Sequence, residues 1–400
     1  MNNKRHVLIV PAWYPSPGHP HFGIFVREQA RALQLFAPDL TVSVWNWCPA
    51  LLSLSFKRPL ELLRSIRRWR QRPAVGWRVD DTGLREYVRP LFEPPRPFPR
   101  ETAAFLRVLR EVIATVGADR GRPDLVHAHV GRVAGWACSE VCPELGIPWV
   151  LTEHMGPKMI ADLAPHGALD RHWLQAYQSC AALVAVSSSH ADVLRQYCGR
   201  QPVVIPNAVD EDFFCQPDQP PAPEAPFLAV TRFAPVKAID VLLRSYAAAA
   251  STQGLPSLRI GGDGPLFDSL RRLAGTLVIG GRVTFLGRLS RGQVRDEMQR
   301  CAALVISSQS ESFGVVAVEA MACGRPVLST ACGGPADIVT PSTGILVPGT
   351  EVKPLTDGLA AMARVWRQFD PATIRNHAIA GFSRPSVAAK LCQLYGHSAP

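Results

Sequence analysis

Short apolar runs punctuate this chain from end to end, and in many places a stretch of helical character separates one run from the next. The first series is VLIV (7–10), VSVW (42–45), LVHA (125–128), WVLT (149–152), LVAVS (183–187) and VVIP (203–206). The second is FLAV (227–230), LRIG (258–261), VTFLG (283–287), ALVIS (303–307) and PVLS (326–329). Strands alternating with helices argue for parallel sheets. Between the two series lies QPDQPPAPEAP (216–226), whose five prolines make a semi-rigid linker. The pattern predicts an α/β protein with a doubly wound domain over 1–215 and another over 227–381. The two would face each other across a cleft, with ligands beyond the carboxyl ends of the strands. No repeat at a solenoid period is present.

One segment of the second half combines an apolar helix with two acids: ESFGVVAVEAMACGRP (311–326). Val315 to Cys323 predicts a buried helix that stops at Gly324, with Pro326 beyond the stop. Gly314 stands at its start, where free backbone N–H groups and the positive end of the dipole suit a phosphate. Glu311 precedes the helix and Glu319 lies in its second turn. A buried carboxylate is costly unless it meets donors. Glu319 is therefore a ligand-binding acid, a partly exposed residue, or the partner of an internal arginine.

Four hundred residues, 47% of them hydrophobic, are enough for two full cores. The ten cysteines contain no CxxC pair and no run with metal-ligand spacing, and no cationic, apolar leader opens the chain. Both features point to reduced thiols and a cytoplasmic protein. No apolar stretch approaches the roughly 20 residues that a membrane span needs. The formal charge of +10 is uneven: residues 1–200 hold 25 Lys and Arg against 17 Asp and Glu, and residues 201–400 hold 18 against 16. The excess peaks at KRPLELLRSIRRWRQR (57–72), where seven basic residues accompany only Glu61. Leu60, Leu63, Ile66 and Trp69 would share one face flanked by arginines, as in a helix lying on an anionic membrane surface. An amphipathic helix docked on its own sheet has the same pattern. Nucleic acid is disfavoured, because no recognised binding motif accompanies the charge.

The expected strand ends carry the remaining polar signals. TRFAPVK (231–237) puts Arg232 and Lys237 just past the first strand of the second domain, where a fork and a point charge suit a diphosphate. A pair of surface cations would read the same. RIGGDGP (259–265) follows a strand and precedes a helix, as either a phosphate loop or a tight turn. HAH and TEH place His127, His129 and His154 at strand ends of the first domain.

Taken together, these motifs resemble the retaining glycosyltransferases of family 4, which have the GT-B fold of two Rossmann-like domains. The marks are the acids Glu311 and Glu319 eight apart, with TRFAPVK, GGDGP, VTFLG, VISSQSESFG, GRPVLST, GGPADIV and GILVP. In the first half, WYPSPGHPHFGIFVREQARAL, LVHAH, IPWVLTEH, VAVSSS and VIPNAVD match as well. The resemblance runs from residue 7 to about Tyr395 and is weakest over 47–120.

It implies a nucleotide-sugar donor and a set of roles. Arg232 and Lys237 would hold the diphosphate and stabilise the departing phosphate. Glu311 would bind the transferred sugar, with Phe313, Gly314 and Val315 offering backbone around it. Glu319 would accept the ribose hydroxyls. Gly23 would allow a close approach to the diphosphate, and Gly262 and Leu286 would join the donor site. His129 matches the histidine placed near the sugar, with His154 its rival. No metal or other cofactor is implied, and Asp210-Glu211-Asp212 reads as a turn. The segment 382–400 would return as a helix onto the first domain. That domain would take the acceptor, a saccharide or a polyprenyl-diphosphate-linked one at the inner membrane face, in polysaccharide or glycolipid synthesis. The family more often has glycine at Thr231, Ala238 and Ser312, and glutamate at Val236, so the shape of the diphosphate loop is its least fixed feature. A nucleotide-sugar 2-epimerase, a phosphorylase or a non-catalytic sugar-binding protein are the competing functions on this fold.

Overall fold

The computed structural model describes residues 4–16, 21–48, 66, 67, 70, 72–91, 103–164, 167–251 and 254–397. Most of the basic segment 57–72, and with it the membrane-surface reading, lies outside the described residues.

The first sheet is built from β1 (Arg5–Pro11), β2 (Leu40–Asn46), β3 (Gly76–Val79), β4 (Arg85–Val88), β5 (Leu125–His129), β6 (Trp149–Glu153), β7 (Ala182–Ala185) and β8 (Val203–Val204). Their order is β3-β4-β2-β1-β5-β6-β7-β8, parallel except for β3 against β4. The chain leaves β1 to one side for β2 and returns to the other for β5. The sheet therefore reverses direction at β1, and its carboxyl end is the place for a ligand. The second sheet contains β9 (Phe227–Val230), β10 (Leu258–Gly261), β11 (Val283–Gly287), β12 (Ala303–Ile306), β13 (Val327–Thr330) and β14 (Gly344–Val347). Its order is β11-β10-β9-β12-β13-β14, all parallel, and it reverses between β9 and β12. The α/β architecture of two doubly wound sheets is the one the apolar runs predict.

Three strands escape those runs for physical reasons. β3 and β4 form a half-exposed edge whose residues are GWRV and REYV, so no unbroken apolar run marks them. Arg85 covers the ring of Trp77 at 4.5 Å there, closing the edge with a cation–π contact. β14 likewise has only its two ends buried.

The last helix crosses back to the first domain. α14 (Arg384–His397) lays Val387, Leu391 and Tyr395 into the same core as Val7 and Ile9 of β1 and Val26 and Leu33 of α1 (Ile24–Phe36). The Tyr395 hydroxyl lies 2.7 Å from His127 Nδ1, and its carbonyl accepts from Arg5 at 2.6 Å. Two chain crossings join the domains, and they run side by side: Val209 pairs in parallel with Ser383, and its N–H donates to Phe382 O at 2.9 Å. Arg384, 6% exposed, fixes both. Its guanidinium meets Asp210 at 3.1 Å and Glu211 at 3.3 Å, and also pairs with Asp212. The acidic triplet is thus the anchor of the domain crossing. Among the described residues no group of three or more His, Cys, Asp and Glu side chains could hold a metal ion. All ten cysteines are unpaired. No helix among the described residues is long and apolar enough to cross a membrane.

Candidate donor cleft

Two cavities of about 460 and 700 Å³ open beyond the strand ends and share the walls formed by Phe25, Arg232, Val315 and Val316. The smaller holds Lys237, Ser308, Glu311 and His154; the larger holds Gly262, Arg288, Arg291 and Glu319. Helix α10 (Val315–Ala322) separates them, with its N-terminus at the junction.

The smaller cavity is stitched together by the ends of β9 and β12. After β9 the chain makes one turn of 3-10 helix, Pro235–Lys237, and enters α7 (Ile239–Ala248) through Ala238. Ala238 has φ +46°, the left-handed region where an alanine is strained and a glycine is not, which explains why the family more often has glycine here. Lys237 Nζ donates to Glu311 Oε1 at 2.6 Å, and Ser308 Oγ donates to the same oxygen at 2.7 Å. The backbone of Glu311 is held too: its N–H donates to Cys332 O at 2.8 Å, and its carbonyl accepts from Gly334 N–H at 3.1 Å. Arg232 lines both cavities, and its side chain has no hydrogen bond or ion pair among the described residues.

At the junction Gly314 takes φ +98° and caps α10; Ala317 N–H returns to Gly314 O at 2.9 Å, which leaves the N–H groups of Val315 and Val316, residues that line both cavities, without a partner in the helix. Those groups, the helix dipole and the cations Arg232 and Lys237 together make an anion site. Glu319 follows one turn later on the wall of the larger cavity, and its carboxylate makes no hydrogen bond among the described residues. Burial pushes its carboxyl up to about 8; Arg291 pulls it down and the Glu28 carboxylate pushes it further up. Arg291 has other obligations: it meets Glu28 at 3.2 Å and Asp210 at 3.4 Å and lies over Phe213 at 4.7 Å. Glu319 is thus a carboxyl that burial biases towards its protonated form.

On the facing wall, β5 and β6 end in a stack of imidazoles. His129 Nδ1 lies 2.9 Å from His154 Nε2, and burial holds both rings well below the ordinary histidine range. Val130, directly after His129, has φ +76° and ψ 119°, a strained backbone for a β-branched residue. A single π-helical turn, Gly131–Gly135, follows, and Glu153 accepts its first N–H at 2.9 Å.

Comparison with known proteins decides what this arrangement belongs to. Residues 67–213 match the family described as Glycosyltransferase Family 4, and 212–365 match Glycosyl transferases group 1. A D-inositol 3-phosphate glycosyltransferase of Mycobacteroides abscessus is 31% identical over 70% of this chain and 67% of its own length. Another, from Actinosynnema mirum, is 32% identical over 70% of this chain and 73% of its own. The chain is a family 4 glycosyltransferase. Among solved structures, sucrose-phosphate synthase from Thermosynechococcus elongatus superposes with a TM-score of 0.73 at 21% identity, covering 98% of each chain. Anabaena HepE, crystallised with UDP, superposes with a TM-score of 0.67 at 17% identity, covering 98% of this chain and 99% of its own. Both neighbours support the GT-B fold.

Within this glycosyltransferase the cleft gathers Arg232, Lys237, Glu311, Phe313, Gly314, Val315, Gly262, Glu319 and His154. Three expected site residues lie off the cleft wall. His129 is fully buried, because its place inside the sheet puts its edge against His154, and of the two it is His154 that lines the cavity. Gly23 has φ +68°, and a Cβ there would come within 2.2 Å of Trp13 O, so the glycine is demanded by the β1 end; His21, two residues earlier, reaches the wall. Leu286 packs on the second domain's core, while Arg288 and Leu289 after it line the larger cavity. Gly262 has a backbone reason as well: at φ +145°, a Cβ would sit 1.8 Å from Thr231 O. Sequence reasoning missed Arg291. The available signal was a cation at the first position of α9 (Arg291–Arg300), right after the Ser290 capping box, where the dipole disfavours positive charge. Its acids come from elsewhere in the fold.

Proposed function

We propose that this cleft binds a nucleotide-sugar with the diphosphate between Arg232, Lys237 and the first turn of α10. The transferred sugar would lie against Glu311 and His154, and the ribose against Glu319. One observation carries the reading: Arg232 walls both cavities, while the acids Glu311 and Glu319 occupy one each. A ligand that fills both needs hydroxyls at its two ends and an anion at its middle. Charge developing on the departing diphosphate would meet fixed donors without reorganisation. Two cations and a helix N-terminus supply that charge, so no resident metal is needed. We further propose retention of the donor's anomeric configuration. Neighbours crystallised with UDP and with UDP-glucose support a uridine diphosphate sugar.

The acceptor would be held by the first domain. Its basic excess, and relatives named for an inositol phosphate acceptor, support a phosphate-bearing one. This includes a polyprenyl-diphosphate-linked saccharide at the cytoplasmic face of a membrane, in polysaccharide or glycolipid synthesis, with 57–72 as the contact to the anionic surface. The test is donor turnover across UDP-, GDP- and ADP-hexoses, with the product anomer read by NMR. Turnover of one donor should survive EDTA, keep its anomer and fall on the order of 100-fold in Lys237→Ala. Unchanged turnover in Lys237→Ala would overturn the reading.

A further inference from the structure

Outside the cleft, the second domain carries a cavity of about 310 Å³ against the interdomain linker, walled by Pro220, Pro223, Arg325, Trp366, Arg367 and Phe369 among others. Among the described residues no acidic side chain lines it. Arg325 is the anomaly. It is 3% exposed, its Nε is buried without a partner, and its guanidinium makes no hydrogen bond or ion pair among the described residues. Buried arginines are ordinarily paired, because removing a guanidinium from water is repaid only by a counter-charge. The titratable groups that act on it are the thiols of Cys301 and Cys323, which burial keeps protonated and neutral. The backbone explains why the residue starts from this wall. Gly324, at φ +72°, ends α10: its N–H returns to Met321 O at 2.8 Å, and Arg325 N–H returns to Ala320 O at 2.9 Å. Pro326 follows and leads into β13, so the backbone that carries Arg325 is fixed at the cavity wall.

The second cation, Arg367, is exposed. It lies over the Trp366 ring at 4.3 Å and donates to Pro223 O of the linker. A buried fork without a counter-charge, a second, exposed cation beside it, and walls of proline and aromatic carbon describe one kind of occupant. We propose that this cavity is a binding site for a small organic oxyanion, whose phosphate or carboxylate head pairs with Arg325 and Arg367 and whose compact apolar body packs on Trp366 and Phe369. The volume suits such a molecule. It touches none of the donor cleft: the occupant would sit behind the carboxyl end of α10 and hold linker and second domain together.

The test uses the full-length protein, with phenyl phosphate, benzoate and inorganic phosphate as probes in phosphate-free buffer. Calorimetric titration should show one site for phenyl phosphate or benzoate that persists with saturating UDP present. Inorganic phosphate, with the head alone, should bind at least tenfold more weakly. Arg325→Leu should abolish the binding and leave donor turnover unchanged, and Arg367→Ala should weaken it several-fold. Without any anion, Arg325→Leu should melt at a higher temperature than the wild type, because it removes an uncompensated buried charge; the probe should raise the melting temperature of the wild type only. Failure of every probe to bind, competition by UDP, or binding unaltered in Arg367→Ala would overturn the proposal. So would an Arg325→Leu protein less stable than the wild type in anion-free buffer. Phenyl phosphate binding above benzoate marks a phosphorylated ligand; the reverse order marks a carboxylate.

Discussion

Donor binding should expel a proton from Glu319. In the empty cleft, burial raises this carboxyl from its ordinary value near 4.5 to about 8. About nine-tenths of the molecules then hold the proton at pH 7. Ribose hydroxyls donate to the ionised form, so binding must first strip that proton. Affinity should scale with the ionised fraction and rise about 50-fold between pH 6 and pH 8, with about 0.9 proton released per donor bound at pH 7. Calorimetry of an intact nucleotide-sugar in buffers of different protonation enthalpy reads this number, since the diphosphate diester does not titrate near neutrality. His129 and His154 are held well below the ordinary range and stay neutral throughout. Glu28 is also raised by burial, so the variant Glu319→Gln assigns the proton. That variant should show a nearly flat pH dependence and little release. A wild type that exchanges no proton, or a Glu319→Gln protein that keeps the slope, would refute the reasoning.

The same shift sets the sign of Glu319's own share of stability: the folded carboxyl holds its proton between about pH 4.5 and 8 and the unfolded one does not. The stability of the wild type relative to Glu319→Gln should therefore fall as pH rises through that window in urea unfolding at stepped pH, while the buried histidines pull the opposite way equally in both proteins. Arg384→Leu strands the acids at the domain crossing and should cost about 3–5 kcal/mol in urea unfolding. Truncation before Arg384 opens the core that Val387, Leu391 and Tyr395 fill, and an equally stable, soluble truncation would refute their role. Ala238→Gly relieves a left-handed alanine and should raise the unfolding free energy by up to about 1 kcal/mol.

The apolar runs made both sheets legible, because central strands of a parallel sheet are buried on two faces and cannot hide their composition. Edge strands can, and GWRV and REYV did. In the cleft, residues defined by local geometry were readable: Gly314 at a helix start, Lys237 at a strand end, Glu311 and Glu319 on either side of α10. Residues defined by what another element does were not. Which histidine faces the cavity depends on how β5 and β6 stack, and His154, not His129, lies on the wall. Gly23, read as an approach to phosphate, has a further reason that only the fold shows: the backbone of Trp13 excludes a side chain there. Arg291 and Arg384 find their acids in α1 and in the crossing, at separations no local pattern can reveal.

The central claim is that one donor spans both cavities, with the sugar on Glu311 and the nucleoside on Glu319. Titration of the wild type, Glu311→Gln and Glu319→Gln with the donor that turns over, and with its nucleoside diphosphate alone, tests it directly. Glu319→Gln should weaken both ligands by the same factor, while Glu311→Gln should weaken only the ligand that carries the sugar. Equal weakening of donor and nucleoside diphosphate by Glu311→Gln would contradict the placement.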